Sequence, residues 1–300
     1  MSTVSISVRS LREIWASAEN VHTSRPLLLG IPEIDSALGG GVACGKISEV
    51  YGGPGAGKTQ LALTIVAQEL ITNYLNGEDG IIIYLHTTGT FPIERLCEIM
   101  EAKLTPLDGS TAPDSSLVKA MLSGLCIDKV VEATELTHKL MNLNTNVEDH
   151  KKIRLLVIDS ITSVFRPLLR SKRLEIVILH AYKLECRYRA NFVPNLLHVA
   201  YLLKRITAQL QMAVLVLNEV TGGVDPSTKS IKSGTPAIKP ALGGMWTQAI
   251  NCRIAMHHMK NMICRRRFLQ IIFNASGPPS DKIPIAITSS GVKTQEPNLV

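Results

Sequence analysis

Apolar runs alternate with helical patterns along most of the chain. Continuous or half-buried apolar runs predict strands at residues 47–51, 81–85, 155–158 and 213–217. Between them, apolar residues recur at helical spacing and predict helices near residues 58–72, 92–100, 134–141 and 194–211. A hairpin at 250–273 and a last strand at 283–287 follow. This alternation predicts an α/β fold with a mostly parallel central sheet and helices on both faces.

The composition agrees with one large folded unit. The chain has 300 residues, of which 45% are apolar and 19% are charged, so a sizeable core can be buried. We expect an N-terminal arm over residues 1–24 and a core over residues 25–300. No run of about 18 apolar residues occurs, so we expect no membrane partner. The net charge of +7 permits nucleic-acid binding without demonstrating it.

The strongest motif is a glycine-rich loop between a predicted strand and a predicted helix. It matches the pattern G-x-x-x-x-G-K-S/T at every fixed position. Its backbone N–H groups can point inward at phosphate oxygens, and the helix N-terminus adds positive potential. We therefore predict that ATP and Mg²⁺ bind here, with Lys58 reaching the β- and γ-phosphates and the Thr59 hydroxyl binding the metal. The loop residues are Gly52, Gly53, Pro54, Gly55, Ala56, Gly57, Lys58 and Thr59.

A second candidate metal residue follows the apolar run at 155–158. Asp159 stands at the carboxyl end of that predicted strand, where ligands bind in open α/β sheets. We expect this strand to lie beside the strand that leads into the P-loop. Asp159 is then predicted to hold Mg²⁺ through water.

The order of these pieces resembles the RecA/RadA-type recombinase family, on its eukaryotic side, over roughly residues 25–295. The segments that carry the resemblance are GGPGAGKTQLAL (52–63), YLHTTGTFPIERL (84–96), LLVIDS (155–160), VLNEVTGG (216–223) and KPALGGMW (239–246). The resemblance implies a RecA-like P-loop ATPase core, DNA repair by homologous recombination and a nuclear location. It also implies nucleotide contacts from Gln60, and from Arg95 as the arginine that packs on the adenine ring.

Three departures from the family pattern favour its recombination-mediator paralogues, of the X-ray repair cross-complementing kind and its fungal relatives. Thr88 stands where recombinases carry the glutamate that activates water, and a threonine hydroxyl is not a general base near pH 7. Hydrolysis is therefore expected to be slow, unless Glu33, Glu94 or a partner subunit substitutes. Only some 24 residues precede the core, where the full-size recombinase has an additional helical domain.

The third departure is Asn218-Glu219-Val220, where the family has Asn-Gln-Val and relays the γ-phosphate state to the DNA loop. A phosphate would repel Glu219 unless this side chain faces a cation. Glu219 is also the first candidate for a replacement catalytic base. Because Lys58, Thr59 and Asp159 are intact, a self-sufficient DNA-dependent ATPase or strand-exchange recombinase stays open as the alternative. A third hypothesis is a RecA-like ATPase that does not act on DNA. It does not explain the basic loop after Val220.

The resemblance further implies DNA-binding loops and a partner arm. In the second loop, Lys229, Lys232 and Lys239 are predicted to bind single-stranded DNA. The alternative, that this segment is an ordinary solvated loop, stays open. In the family, an arm with an aromatic residue followed three residues later by alanine binds the neighbouring subunit. Trp15 and Ala18 have this spacing, which implies a paralogue subunit and the strand-exchange recombinase as partners. The same tryptophan can instead fold back on its own core. Residues 171–190 look like an insertion, either a helix at a partner surface or an artefact of gene prediction.

Overall fold

The computed structural model describes residues 24–105, 115–143, 152–165, 181–221, 239–260 and 265–295. At residues 115, 181–191, 260 and 265 it describes the backbone alone. The predicted arm residues Trp15 and Ala18 and the predicted DNA-binding residues Lys229 and Lys232 lie outside these ranges. The division into an arm and a core therefore stays a prediction.

Helices and strands alternate over the first two thirds of the described chain, and strands dominate the last third. The helices are α1 Pro32–Ala37, α2 Lys58–Asn76, α3 Ile93–Leu104, α4 Ser115–Leu122, α5 Ala133–Leu143, α6 Ala181–Leu210 and α7 Gly243–Thr247. The strands are β1 Ile47–Gly52, β2 Ile81–His86, β3 Leu125–Lys129, β4 Ile153–Asp159, β5 Ala213–Asn218, β6 Val220–Thr221, β7 Lys239–Pro240, β8 Cys252–Lys260, β9 Arg265–Asn274, β10 Ile283–Thr288 and β11 Gly291–Thr294.

Among the described residues, the main sheet has nine strands in the order β11-β10-β9-β8-β1-β5-β4-β2-β3. Every neighbouring pair from β8 to β3 is parallel, while β8, β9, β10 and β11 pair antiparallel. The carboxyl ends of the parallel strands therefore meet at one edge of the sheet. This arrangement confirms the predicted α/β class with a mostly parallel central sheet.

Each face of the sheet carries its own hydrophobic core, which confirms the prediction of helices on both faces. One core packs α2, α3 and α4 against the sheet, through buried residues such as Leu61, Leu96 and Val118. The other packs α5, α6 and α7 against the opposite face, through residues such as Leu136, Leu203 and Trp246. The central strands β1 and β5 are buried along their whole length, because both of their faces are covered.

The predicted neighbour of the P-loop strand is wrong. We expected β4, which ends in Asp159, beside β1, but β5 lies between them and pairs with both. The apolar runs of β4 and β5 are alike, so their pattern cannot reveal which strand occupies the central position. Asp159 still contacts the end of the P-loop, because the Thr59 hydroxyl in the first turn of α2 donates to its carboxylate.

The largest differences from the sequence prediction are at helix α6 and at the end of the sheet. Helix α6 begins at Ala181 rather than near residue 194, and Pro194 lies inside it. The second half of the suspected insertion at 171–190 is therefore continuous with a core helix. Beyond the predicted last strand, β11 adds a further strand that pairs antiparallel with β10. No helix in the described part of the chain is long and apolar enough to span a membrane.

Candidate nucleotide site

The P-loop lies between the end of β1 and the start of α2, as the motif predicts. Gly57, directly before α2, has φ 104°, a left-handed conformation that only glycine adopts without strain. At Gly52, an added Cβ would lie 2.3 Å from the Met256 carbonyl oxygen of β8, so a side chain cannot fit there. These two glycines are required by backbone geometry and by the close approach of β8.

The Lys58 ammonium lies over the loop that it belongs to. Its Nζ donates to the carbonyl oxygens of Gly52 at 2.8 Å and Gly53 at 3.2 Å. Burial lowers the pKa of Lys58, while the nearby carboxylates of Glu219 and Asp159 act in the opposite direction. Glu219 therefore interacts electrostatically with the Lys58 ammonium.

The two predicted metal residues are in direct contact. The Thr59 hydroxyl donates to Asp159 Oδ2 at 2.8 Å, although 100 residues separate them in the sequence. A hydroxyl and a carboxylate are the oxygen ligands that Mg²⁺ prefers. Both stand at the carboxyl edge of the sheet, and Thr59 directly follows the P-loop lysine. The side chains present therefore fit a Mg²⁺ ion that accompanies a bound nucleotide.

The two remaining nucleotide-binding candidates also contact each other. Arg95 Nε donates to Gln60 Oε1 at 2.9 Å, which joins the first turn of α2 to the first turn of α3. The Arg95 guanidinium also donates to the carbonyl oxygens of Thr288 and Ser289 and pairs with Glu98 at 2.6 Å. Arg95 is therefore held beside the P-loop helix and is not a freely solvated helix arginine. Its contact with adenine stays a prediction.

Thr88 follows a segment that is tied to the Asp159 strand. Thr87 N donates to Asp159 O at 2.8 Å, and Ser160 N donates to Thr87 Oγ1 at 2.9 Å. Thr88 itself is exposed. The loop that carries it is thus anchored one residue earlier, at the same edge of the sheet as the P-loop.

The two other carboxylates that could replace the missing base have different surroundings. Glu33 accepts from the Thr294 hydroxyl of β11 at 3.0 Å. Glu94 is exposed in the first turn of α3. Of these three carboxylates, Glu219 is the one that interacts electrostatically with the P-loop lysine, Lys58.

Glu219 is held through its backbone by a buried polar chain. Glu219 N donates to Thr162 Oγ1 at 3.0 Å, and that hydroxyl donates to Asn218 Oδ1. The Asn218 amide then donates to Glu49 Oε1 at 2.7 Å. The chain joins β1, the end of β5 and the segment after Asp159, all within the buried interior.

Glu49 is the centre of this polar cluster. It is fully buried in β1, three residues before the P-loop, and also accepts from Trp246 Nε1 at 2.8 Å and from Arg253 Nε. Arg253 Nη2 in turn donates to Thr247 Oγ1 at 3.0 Å. A buried carboxylate is tolerated because an arginine and two further donors compensate it. No sequence motif predicts a role for Glu49. Its only signal in the sequence is that a charged residue stands inside the apolar strand ISEVY.

The root of the second predicted DNA loop is also defined. Strands β6 and β7 pair antiparallel at the two ends of this loop, and Ala241 N donates to Glu219 O at 2.9 Å. Lys239 is exposed at this root. The loop therefore leaves and re-enters the fold next to Glu219.

Two further residues lie near the P-loop, and no sequence motif assigns them to this site. Arg267 of β9 donates from Nε to the Gly55 carbonyl oxygen at 3.2 Å, so the β8–β9 hairpin supports the loop from outside. Tyr84 donates its hydroxyl to Asp159 Oδ2 at 2.8 Å. Neither has a motif of its own, although a tyrosine in the apolar run IIIYL marks a buried hydroxyl that needs a partner.

Comparison with known proteins identifies the class to which this fold and site belong. The sequence profile of the Rad51 family matches residues 26–295, nearly the whole chain. The chain therefore belongs to the Rad51 family. This confirms the resemblance to RecA/RadA-type recombinases.

Among individual relatives, several are paralogues named after the recombinase. The human "DNA repair protein RAD51 homolog 2" is 26% identical over 271 residues, covering 88% of this chain and 67% of the relative. "DNA repair protein RAD51 homolog 3" of Dictyostelium discoideum is 25% identical over 272 residues, covering 88% and 66%. "DNA repair protein RAD51 homolog 4" of Bos taurus is 25% identical over 244 residues, covering 79% and 63%. The chain thus spans about two thirds of the length of these curated relatives.

Proposed function

We propose that this chain is an ATP-binding, weakly hydrolysing DNA-repair protein of homologous recombination. It assists assembly of the strand-exchange recombinase on single-stranded DNA as part of a paralogue complex in the nucleus. Membership of the Rad51 family and similarity to relatives named as DNA repair proteins support this role.

The observation that carries the proposal is the convergence of Lys58, Thr59 and Asp159 at the carboxyl edge of a RecA-like sheet. The backbone N–H groups around Gly57 and the Lys58 ammonium bind the phosphates. Thr59 and Asp159 hold Mg²⁺, and Gln60 and Arg95 lie beside the nucleotide. A Mg²⁺ ion held by Thr59 and Asp159 would neutralise the negative charge of the phosphates.

Slow hydrolysis follows from the absence of a base at Thr88. Its hydroxyl can donate a hydrogen bond to an attacking water but cannot accept the proton of that water near pH 7. Nucleotide binding then acts as a conformational signal more than as a source of turnover. Glu219 lies at the root of the second loop, so a bound γ-phosphate and the loop act on the same short segment.

One observation favours the alternative, a self-sufficient DNA-dependent ATPase or strand-exchange recombinase. Glu219 interacts electrostatically with Lys58, and in this alternative it serves as the replacement base. The two functions differ in whether single-stranded DNA stimulates ATP turnover. Both require the same P-loop.

The second loop supplies the DNA contact in this proposal, and its lysines give a test. Combined replacement of Lys229, Lys232 and Lys239 by alanine is expected to weaken single-strand binding, because three phosphate contacts are lost. The slope of log affinity against log salt should fall by about 2, from roughly 0.7 for each phosphate contact on single strands. Fluorescence anisotropy of a labelled oligonucleotide across a salt series measures this slope.

The matched control replaces Lys119, Lys152 and Lys282, three exposed lysines on other elements, and so changes the net charge equally. This control should keep the wild-type slope. An unchanged slope in the loop variant would mean that the second loop is not the DNA surface.

A further inference from the structure

The Tyr84 side chain stands directly beside the predicted metal carboxylate. Residues Tyr84 and Asp159 come from the paired parallel strands β2 and β4, and the Tyr84 hydroxyl donates to Asp159 Oδ2 at 2.8 Å. The Tyr84 ring is only 1% exposed and meets the Phe91 ring edge-on at 4.8 Å between centroids. The position of the hydroxyl is therefore fixed by packing on both sides.

Two donors converge on one carboxylate oxygen. The Thr59 hydroxyl and the Tyr84 hydroxyl both donate to Asp159 Oδ2 at 2.8 Å. Two donors from different elements hold this oxygen more firmly in place than one donor would. The orientation of the Asp159 carboxylate relative to Thr59 is thereby restricted.

The hydroxyl acts as a donor in this contact. An ionised carboxylate has only acceptor oxygens, so the Tyr84 O–H is the donor of this hydrogen bond. A phenylalanine would fill the same apolar site, so the hydroxyl has a role beyond packing.

We propose that Tyr84 is a positioning residue for Mg²⁺, holding the Asp159 carboxylate in the orientation in which Asp159 and Thr59 together bind the metal. This inference rests on the proposed function, because it assumes that Mg²⁺ accompanies a nucleotide on the P-loop. Groups that orient metal-binding carboxylates typically change metal affinity by about 10- to 100-fold when they are removed.

The test is the Tyr84→Phe variant, which removes the hydroxyl and keeps the ring. A fluorescent ATP analogue is titrated in EDTA, and Mg²⁺ is then titrated into the mixture to find the concentration at half-maximal effect. We expect the Mg²⁺ requirement to rise by about 10-fold or more. Analogue affinity in EDTA and the thermal unfolding midpoint should stay near the wild-type values.

The matched control is Tyr51→Phe, which removes the hydroxyl of another buried tyrosine of the sheet. It should leave the Mg²⁺ requirement unchanged. The inference is overturned if Tyr84→Phe leaves the Mg²⁺ requirement unaltered. It is also overturned if this variant loses both analogue binding in EDTA and thermal stability, because the role of Tyr84 is then structural. Failure of the wild-type protein to bind the analogue under either condition would instead contradict the proposed function.

Discussion

Replacing Lys58 with alanine is expected to weaken ATP binding by about 100-fold or more. The ammonium lies over the loop carbonyls, and we predict that it reaches the β- and γ-phosphates of a bound nucleotide. Charge-assisted hydrogen bonds contribute about 1.5–3 kcal/mol each, so the loss of two costs at least about 3 kcal/mol, or roughly two orders of magnitude in affinity. Equilibrium titration with a fluorescent ATP analogue measures this directly.

Lys46→Ala is the matched control for this substitution. Lys46 precedes β1 at the opposite end of the strand and donates to the Ser276 hydroxyl. Its loss removes the same charge without touching the P-loop, so nucleotide affinity should stay near the wild-type value. Wild-type affinity in Lys58→Ala would refute the assignment of residues 52–59 as the phosphate site.

Replacing Glu49 with leucine is expected to lower the free energy of unfolding by about 3–5 kcal/mol, the usual cost of breaking a buried ion pair from one side. The substitution leaves the buried Arg253 guanidinium without its carboxylate and removes the acceptor of Trp246 and Asn218. Urea unfolding, followed by fluorescence, measures this loss as a shift of the unfolding midpoint. The dependence of the free energy of unfolding on urea concentration should keep the same slope.

A second substitution separates the charge effect from simple loss of packing. In the combined Glu49→Leu and Arg253→Met variant, no unpaired charge is left inside, so most of the lost stability should return. Glu98→Ala, which breaks the more exposed pair with Arg95, should change stability by no more than about 1 kcal/mol. A loss below that value in Glu49→Leu would show that the buried cluster contributes little to stability.

Local sequence patterns were sufficient to predict the fold class and the position of the glycine-rich loop in the fold. The apolar runs gave the strands, and the motif at 52–59 lies between β1 and α2, as predicted. Thr59, Gln60, Arg95 and Asp159 are brought together in pairs by the fold. Glycine-rich turns and buried strands carry such strong local signals because backbone sterics and burial decide them.

What the sequence could not predict depends on long-range packing. The order of β4 and β5 follows from how two equally apolar strands share the interior, and no local pattern distinguishes them. The Glu49–Arg253 pair joins residues 204 positions apart, and the contact of Tyr84 with Asp159 joins residues 75 apart. Local patterns could place Glu49, Tyr84 and Arg253 in strands, but they could not reveal the partner of each residue.

The most direct test of the central claim is ATP turnover by the pure protein, with and without single-stranded DNA, beside the Lys58→Ala variant. The account predicts near-background turnover in both conditions, together with retained nucleotide binding in the wild-type protein, because Thr88 supplies no base. Robust turnover that DNA stimulates and Lys58→Ala abolishes would contradict it. Glu219→Gln would then identify the base, and the self-sufficient ATPase would become the better description of this protein.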